Sequence, residues 1–387
     1  MIYKPHFLYR LKLILVFLLV KVKFIHSILP KNIRDKLPIG WNNKMFGTAF
    51  KSGGKKLYFT YYSELREPNS YTAKSVVDPK YKLTEEEISL FSKNGYIGPF
   101  DLMSFQEANT MKNHVIKLDK TESEILSYYR GDYQFEAQIN GSAKNSDHTV
   151  LSETNKFFAR RLNSYNRHLE DYTLLNLFKN PAITERCAQL LGSDIILWHS
   201  NFFQIPPHSN GTPWHQTNTW FMDWKKSIIQ PANIKDIFSL TCWIALTDVP
   251  KEKSCLTVIP GTQRKIYPIK FKKSKNKSGS ANKSYGELKK EVDYPFDSAN
   301  VHFLEAKAGQ FFIFSERVIH GSTRNVTDDY RWALVGRIVK TDTKIYTEKM
   351  LQEGYDIKVY GAKKIKLDNW KAVLIRGEDR FGYNRLL

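Results

Sequence analysis

The sequence predicts a mainly β protein with helices: a double-stranded β-helix, or cupin-like jelly roll, carrying flanking helices on its outside. Three observations lead there. Helical spacing dominates up to about residue 192, and the period then changes. From residue 195 onward come seven or eight short runs rich in β-branched and aromatic residues. Turn signals such as Pro206-Pro207, Pro260-Gly261 and Ala308-Gly309 separate these runs, the pattern of two facing sheets rather than one long one.

Taken in order, the chain opens with Leu13 to Val20, an unbroken apolar run flanked by Lys12, Lys21 and Lys23. A membrane-spanning helix needs roughly 20 apolar residues, so the run is too short to cross. Two lysines and Phe24 stand where a secretory signal would place small residues for cleavage. Two readings stay open for residues 1–30: a basic helix lying on anionic lipid, or a helix packed on the domain. Residues 27–80 read as a polar, turn-rich connector containing Gly53-Gly54. Thr84 followed by Glu87 is a capping box opening a helix that ends at Gly95, and Ser104 with Glu107 repeats the signature before a helix to about Leu118. Helical spacing recurs over 153–178 and 182–191, the latter stopped by Gly192. The predicted strands are Ile195–Ile205, Trp214–Trp224, Phe238–Leu246, Cys255–Ile259, Val301–Leu304, Gln310–Phe314 and Arg331–Val339. A Lys-, Ser-, Asn- and Gly-rich stretch interrupts them and predicts a mobile, basic loop insertion at about 264–291. Residues 1–80 therefore read as a basic extension and connector, and 81–387 as one domain.

The formal net charge of +20 is unevenly placed. Residues 1–80 carry 15 lysines and arginines against 4 acids, and residues 264–290 carry 10 against 1. These surpluses of 11 and 9 account for the whole excess, so the remainder is balanced. A nucleic-acid groove would interleave cations and aromatics in the folded core, and a balanced core argues against one. Cys187, Cys242 and Cys255 form neither a zinc pattern nor a disulfide framework. They read as small buried apolar residues in a reducing, cytoplasmic setting, with any membrane contact peripheral and through residues 1–30.

Two of the ten histidines stand in distinctive settings. His215 lies in Gly211-Thr-Pro-Trp-His-Gln-Thr-Asn-Thr219 at a strand start, and His320 in Phe314-Ser-Glu-Arg-Val-Ile-His-Gly-Ser322 where a strand breaks at glycine. Arg331 follows eleven residues later.

These segments, with Asn94-Gly-Tyr-Ile-Gly-Pro-Phe-Asp101, Tyr165-Asn-Arg-His-Leu-Glu-Asp171, Ile259-Pro-Gly-Thr-Gln263, Ala308-Gly-Gln-Phe311 and Tyr383-Asn-Arg-Leu386, resemble the phytanoyl-CoA dioxygenase superfamily. Within it the chain looks most similar to the syringomycin-type aliphatic halogenases, the chlorinating enzymes of secondary metabolism. The resemblance runs from about Leu83 to the C-terminus and leaves the first 80 residues outside. It implies iron(II) held by His215 and His320, with 2-oxoglutarate and dioxygen as co-substrates and Arg331 pairing the distal carboxylate of 2-oxoglutarate. Thr212 and Trp243 match further co-substrate contacts, and Thr241 and Arg337 match positions near the third coordination site. The implied reaction decarboxylates 2-oxoglutarate to succinate while an aliphatic C–H bond is functionalised.

One departure matters more than the matches. Family members place a carboxylate two residues after the first histidine, and this chain has Thr217. Threonine is neutral and ends one bond beyond Cβ, too short and too weak a donor for iron(II) to replace aspartate. In the resembling halogenases a small residue stands there and a halide fills the position. Three readings therefore stay open: halogenation with chloride as third ligand, hydroxylation with water or a remote carboxylate there, and a ligand-binding homologue without turnover. Asp223 and Glu316 are the nearest acids in sequence and read as solvated surface or loop charges. The resemblance implies a small aliphatic substrate, either untethered or carried on an acidic carrier protein that the 264–291 loop could steer.

Overall fold

Two longer helices, α1 (Phe7–Lys21) and α2 (Asn43–Lys51), and two shorter ones, Lys23–Ile28 and Lys31–Arg34, precede the region of organised patterning. The computed structural model describes residues 7–34, 37–121, 123, 128–130, 163–216, 222–223, 226–273, 288–354 and 362–387. Asn42 caps α2, its side-chain oxygen accepting from the Met45 amide at 3.0 Å. Leu13 of α1 packs with Trp41, Met45, Phe46, Leu57, Tyr58 and Ile266 in a small core. The connector is thus more ordered than its polar composition predicts, because its apolar residues are scattered yet converge.

Both capping boxes are present. Thr84 opens α3 (Glu85–Asn94) and Ser104 opens α4 (Phe105–Asp119), each with reciprocal bonds to the glutamate three residues on. Gly95 ends α3 in the left-handed conformation. Two more helices follow, α5 (Tyr172–Phe178) and α6 (Pro181–Leu191).

The main strands are β1 (Tyr96–Asp101), β2 (Ile195–Ile205), β3 (Ser239–Ala245), β4 (Leu256–Ile259), β5 (Ile269–Lys273), β6 (Leu288–Val292), β7 (His302–Leu304), β8 (Gln310–Ser315), β9 (Ile319–Ser322), β10 (Arg331–Lys340) and β11 (Val373–Arg376). Six form one antiparallel sheet in the order β11-β2-β10-β3-β8-β1, and three form a second in the order β7-β4-β9. Strands β5 and β6, the arms of the predicted basic loop, pair antiparallel, and Lys56–Leu57 adds to the edge of β5. The predicted strand across Trp214–Trp224 is reduced to a bridge at His215 and a short strand at Met222–Asp223, with 217–221 outside the described residues. The predicted helical stretch from 153 lies partly outside them as well; what is described there is a 3-10 turn at Arg167–Leu169 and α5.

Alternation divides the large sheet into two faces. Leu240, Cys242, Ile244, Leu334, Ile338, Phe311 and Ile313 point outward and pack beneath Phe91, Val115, Phe178 and Ile183 of the four helices. Trp243, Ala245, Ala333, Val335, Phe312 and Phe314 point inward and meet Leu256, Val258 and Leu304 of the small sheet. Because both faces are covered, β2, β3, β8 and β10 read as nearly continuous apolar runs rather than as alternating ones. All three cysteines are buried thiols.

Candidate metal centre

His215 and His320 are brought side by side by a two-bond bridge, each backbone amide donating to the other residue's carbonyl at 2.9 Å. Two glycines make this approach possible. A Cβ on Gly211 would stand 2.0 Å from the Thr323 carbonyl oxygen, and one on Gly321 would stand 2.8 Å from that of Thr212. The segment 211–215 therefore lies flat against β9, and the imidazole ring centroids are 4.1 Å apart. Metal–nitrogen bonds of about 2 Å let one ion reach both rings at such a separation.

The ring orientations suit ligation. Nδ1 of His215 lies 2.8 Å from the Pro213 carbonyl oxygen, and Nδ1 of His320 lies 2.8 Å from that of Val318. A carbonyl can only accept, so both Nδ1 atoms carry the proton and both Nε2 atoms present a lone pair. This support fixes tautomer and ring plane together. Burial pushes the His320 imidazole down to about 4, with the Val318 bond opposing and the Arg337 charge adding to the effect. It is therefore a neutral nitrogen donor at physiological pH. Phe314, from the large sheet, packs against its ring at 4.9 Å between centroids.

Behind each histidine stands a residue whose role is bracing. Gln216 is buried, its Nε2 donating to the carbonyls of Arg317 at 2.6 Å and Lys265 at 3.0 Å, while its Oε1 accepts from the Tyr267 amide at 2.9 Å. The Thr262 hydroxyl donates to the Ile259 carbonyl at 2.6 Å and accepts from the Ile319 amide at 2.8 Å, holding the residue before His320. Sequence reasoning missed Gln216. Its only signal was the Trp-His-Gln string, which does not reveal that the amide is buried.

Register places the remaining predicted residues. Arg331, Ala333, Val335 and Arg337 alternate along β10 on the inner face. Arg331 is buried, and its guanidinium lies over the Trp243 ring at 5.5 Å, so these two predicted co-substrate residues form one unit. Arg337 is directly opposite Thr241 in the β10–β3 ladder, bringing that pair together as well. Thr212 sits where the Gly211–His215 segment crosses β9, its amide donating to the Ser322 hydroxyl at 2.8 Å. Thr217 lies outside the described residues.

One expectation is corrected. Glu316 is not a solvated loop charge; it is buried and stands 3.4 Å from the Arg337 guanidinium. The turn after β8 folds it inward, and an ionised carboxylate so placed requires a cation. The side chain of Asp223 lies outside the described residues. Among the described residues, no cluster of three histidine, cysteine or acidic side chains could hold a metal. A cavity of about 370 Å³ adjoins this turn, walled by Glu316 and Arg317, by Ile234 and Phe238 before β3, and by Thr60 and Tyr61 of the connector.

The candidate site is therefore two adjoining imidazoles at the edge of the small sheet, with Arg331 and Arg337 on the inner face of the larger one. The family profile described as phytanoyl-CoA dioxygenase (PhyH) matches residues 91–333. The chain belongs to that family, within the iron(II)- and 2-oxoglutarate-dependent dioxygenase superfamily. The peroxisomal phytanoyl-CoA dioxygenase of Rattus norvegicus is 29% identical over 174 residues, 44% of this chain and 46% of that one. The Homo sapiens peroxisomal enzyme is 23% identical over 313 residues, 76% of this chain and 83% of its own. The chain thus spans under half the length of the rat protein and most of the human one. The solved structure of CytC3 with Fe(II) and α-ketoglutarate shares the fold at a TM-score of 0.54 and 23% identity, covering 79% of this chain and 93% of its own.

Proposed function

We propose that the protein uses iron(II) and 2-oxoglutarate to functionalise an unactivated aliphatic carbon, and that chloride completes the metal site so that the outcome is halogenation. The observation carrying this reading is Thr217 two residues after His215, where the family pattern has a carboxylate. A neutral, short side chain there leaves one coordination position and one negative charge to be supplied from outside. The two facing sheets are read as a double-stranded β-helix, whose mouth holds the site.

The donor set fits the group. His215 and His320 would hold the iron through Nε2, and imidazole nitrogen suits iron(II). Arg331, fixed over Trp243, offers a planar fork to the distal carboxylate of 2-oxoglutarate. Bound there, iron supplies dioxygen activation; the chain supplies the rest. The Pro213 and Val318 carbonyls keep both imidazoles in the ligating tautomer. Thr241 and Arg337, side by side in the ladder, line the position that an anion would take. The Glu316 carboxylate satisfies Arg337 from behind, so that guanidinium stays buried whether or not the anion is present. The cavity beside Glu316 accepts an apolar substrate portion, on a small molecule or on a carrier-tethered arm.

Hydroxylation is the second reading, favoured by sequence relatives that are phytanoyl-CoA dioxygenases. An anaerobic titration separates the two. Wild-type protein with iron(II) and 2-oxoglutarate should show a weak visible charge-transfer band that shifts on adding chloride. Thr217→Asp should keep the band and lose the shift. A wild-type band indifferent to chloride would leave hydroxylation standing, and an unchanged spectrum in His215→Ala and His320→Ala would remove the metal assignment itself.

A further inference from the structure

Helix α1 has two apolar faces, and only one of them is covered. At 100° per residue, Tyr9, Leu13, Val16, Phe17 and Val20 fall on the side that packs against Trp41, Met45 and Phe46. On the opposite side Leu8, Leu11, Leu15 and Leu18 succeed one another at spacings of three and four, and all are exposed, between 42% and 58%. Phe7 and Ile14 widen this ridge, and Phe24 and Ile28 of the next short helix, Lys23–Ile28, are exposed as well, at 73% and 65%. A solvated helix face does not carry so much apolar area without a partner.

The charges around the ridge indicate the partner. Lys12 falls on one border between the covered and uncovered faces, and Arg10 and Lys21 on the other, while Lys23 opens the short helix that follows. Arg10 and Lys21 also fix the helix to the body, donating to the carbonyls of Phe50 and Trp41. Residues 7–34 contain six lysines and arginines and no acid. A second copy of the helix, pairing along the leucines, would set cations against cations at both flanks. A surface of anionic lipid headgroups matches both features, with the leucines entering the acyl boundary and the lysines reaching phosphates. Among the described residues no helix is long and apolar enough to cross a membrane.

We propose that α1 seats the protein on anionic membrane surfaces through the Leu8–Leu18 ridge. Its covered face is held to the connector that runs on to Thr60 and Tyr61 at the cavity wall. This inference does not depend on the metal or on the reaction.

Flotation of the full chain with phosphatidylcholine vesicles, with and without about a third phosphatidylserine, tests it. The expected result is co-flotation with the anionic vesicles only, weakening as salt is raised. Leu11→Glu/Leu15→Glu, two exposed changes outside the packed face, should lower the bound fraction at least tenfold. Lys12→Glu/Lys23→Glu should remove the preference for phosphatidylserine. Circular dichroism of both variants should match wild type. The proposal is overturned if wild-type protein does not float, if the leucine variant floats as wild type does, or if sedimentation shows a lipid-independent dimer that the leucine variant abolishes.

Discussion

Gln216 ties four backbone groups together beside the two histidines. Its amide serves three carbonyls, those of Arg317, Lys265 and Thr262, and one N–H, that of Tyr267. Gln216→Ala would leave these groups buried and unpaired, at a cost of about 3 kcal/mol. Urea unfolding should read that loss, and metal affinity should fall by about tenfold or more because the supports of His215 and His320 loosen together. Unaltered stability would show that water or a rearranged turn takes over. A second residue-scale expectation concerns His168, whose Nδ1 lies 2.7 Å from the Ser200 hydroxyl. Burial pushes it down to about 3 from an ordinary 6.5. Below pH 6.5 the unfolded chain takes up a proton that the folded one refuses, so the contribution is intact above 6.5 and shrinks as pH falls toward 3. One proton corresponds to about 1.4 kcal/mol per pH unit. In His168→Gln the dependence of unfolding free energy on pH between 6 and 4 should be shallower by that amount. Equal slopes in the two proteins would refute it.

Among the elements, the strands were the most legible. Ile195–Ile205 is as predicted, and β3, β4, β7, β8 and β10 begin and end within one residue of expectation. The reason is local: β-branched and aromatic runs bounded by proline and glycine carry their own boundaries. The ordered connector was not legible, since Trp41, Met45 and Tyr58 are scattered among polar residues and one partner, Ile266, lies some two hundred positions on. Glu316 failed for the same reason. Its burial depends on Arg337, which only the sheet brings alongside. Arg317 is one of the joints between connector and site: it donates from Nε to the Gln263 carbonyl at 2.9 Å, and from Nη1 and Nη2 to the Ser63 hydroxyl and carbonyl at 2.8 and 2.9 Å. Burial lowers its pKa to about 10, so it stays charged at neutral pH. Arg317→Met should cost about 3 kcal/mol and release residues 55–70, which limited proteolysis would report as faster cleavage there. Cleavage at the wild-type rate would mean that the small core around Trp41 holds the connector unaided.

For the whole molecule, the two histidines are more than a hundred residues apart in sequence, and their two backbone bonds join the 211–215 segment to β9. Strands β3 to β8 lie between them in sequence, so the pair is a long-range contact. An ion bound to both is therefore a cross-link that only the folded state offers, and its binding energy is folding energy. Sequence could identify the two histidines because glycine, proline and tryptophan mark their segments. It could not show that Glu316 is buried against Arg337, 21 positions further on. Adding iron(II) anaerobically at a hundredfold excess over its dissociation constant should raise the unfolding free energy by about 2.7 kcal/mol. Saturating 2-oxoglutarate should add to this through Arg331, and a chelator should reverse both. In His320→Ala the metal increment should vanish, whereas in Arg331→Gln only the 2-oxoglutarate increment should. A metal increment of equal size in His320→Ala would place the ion elsewhere in the protein.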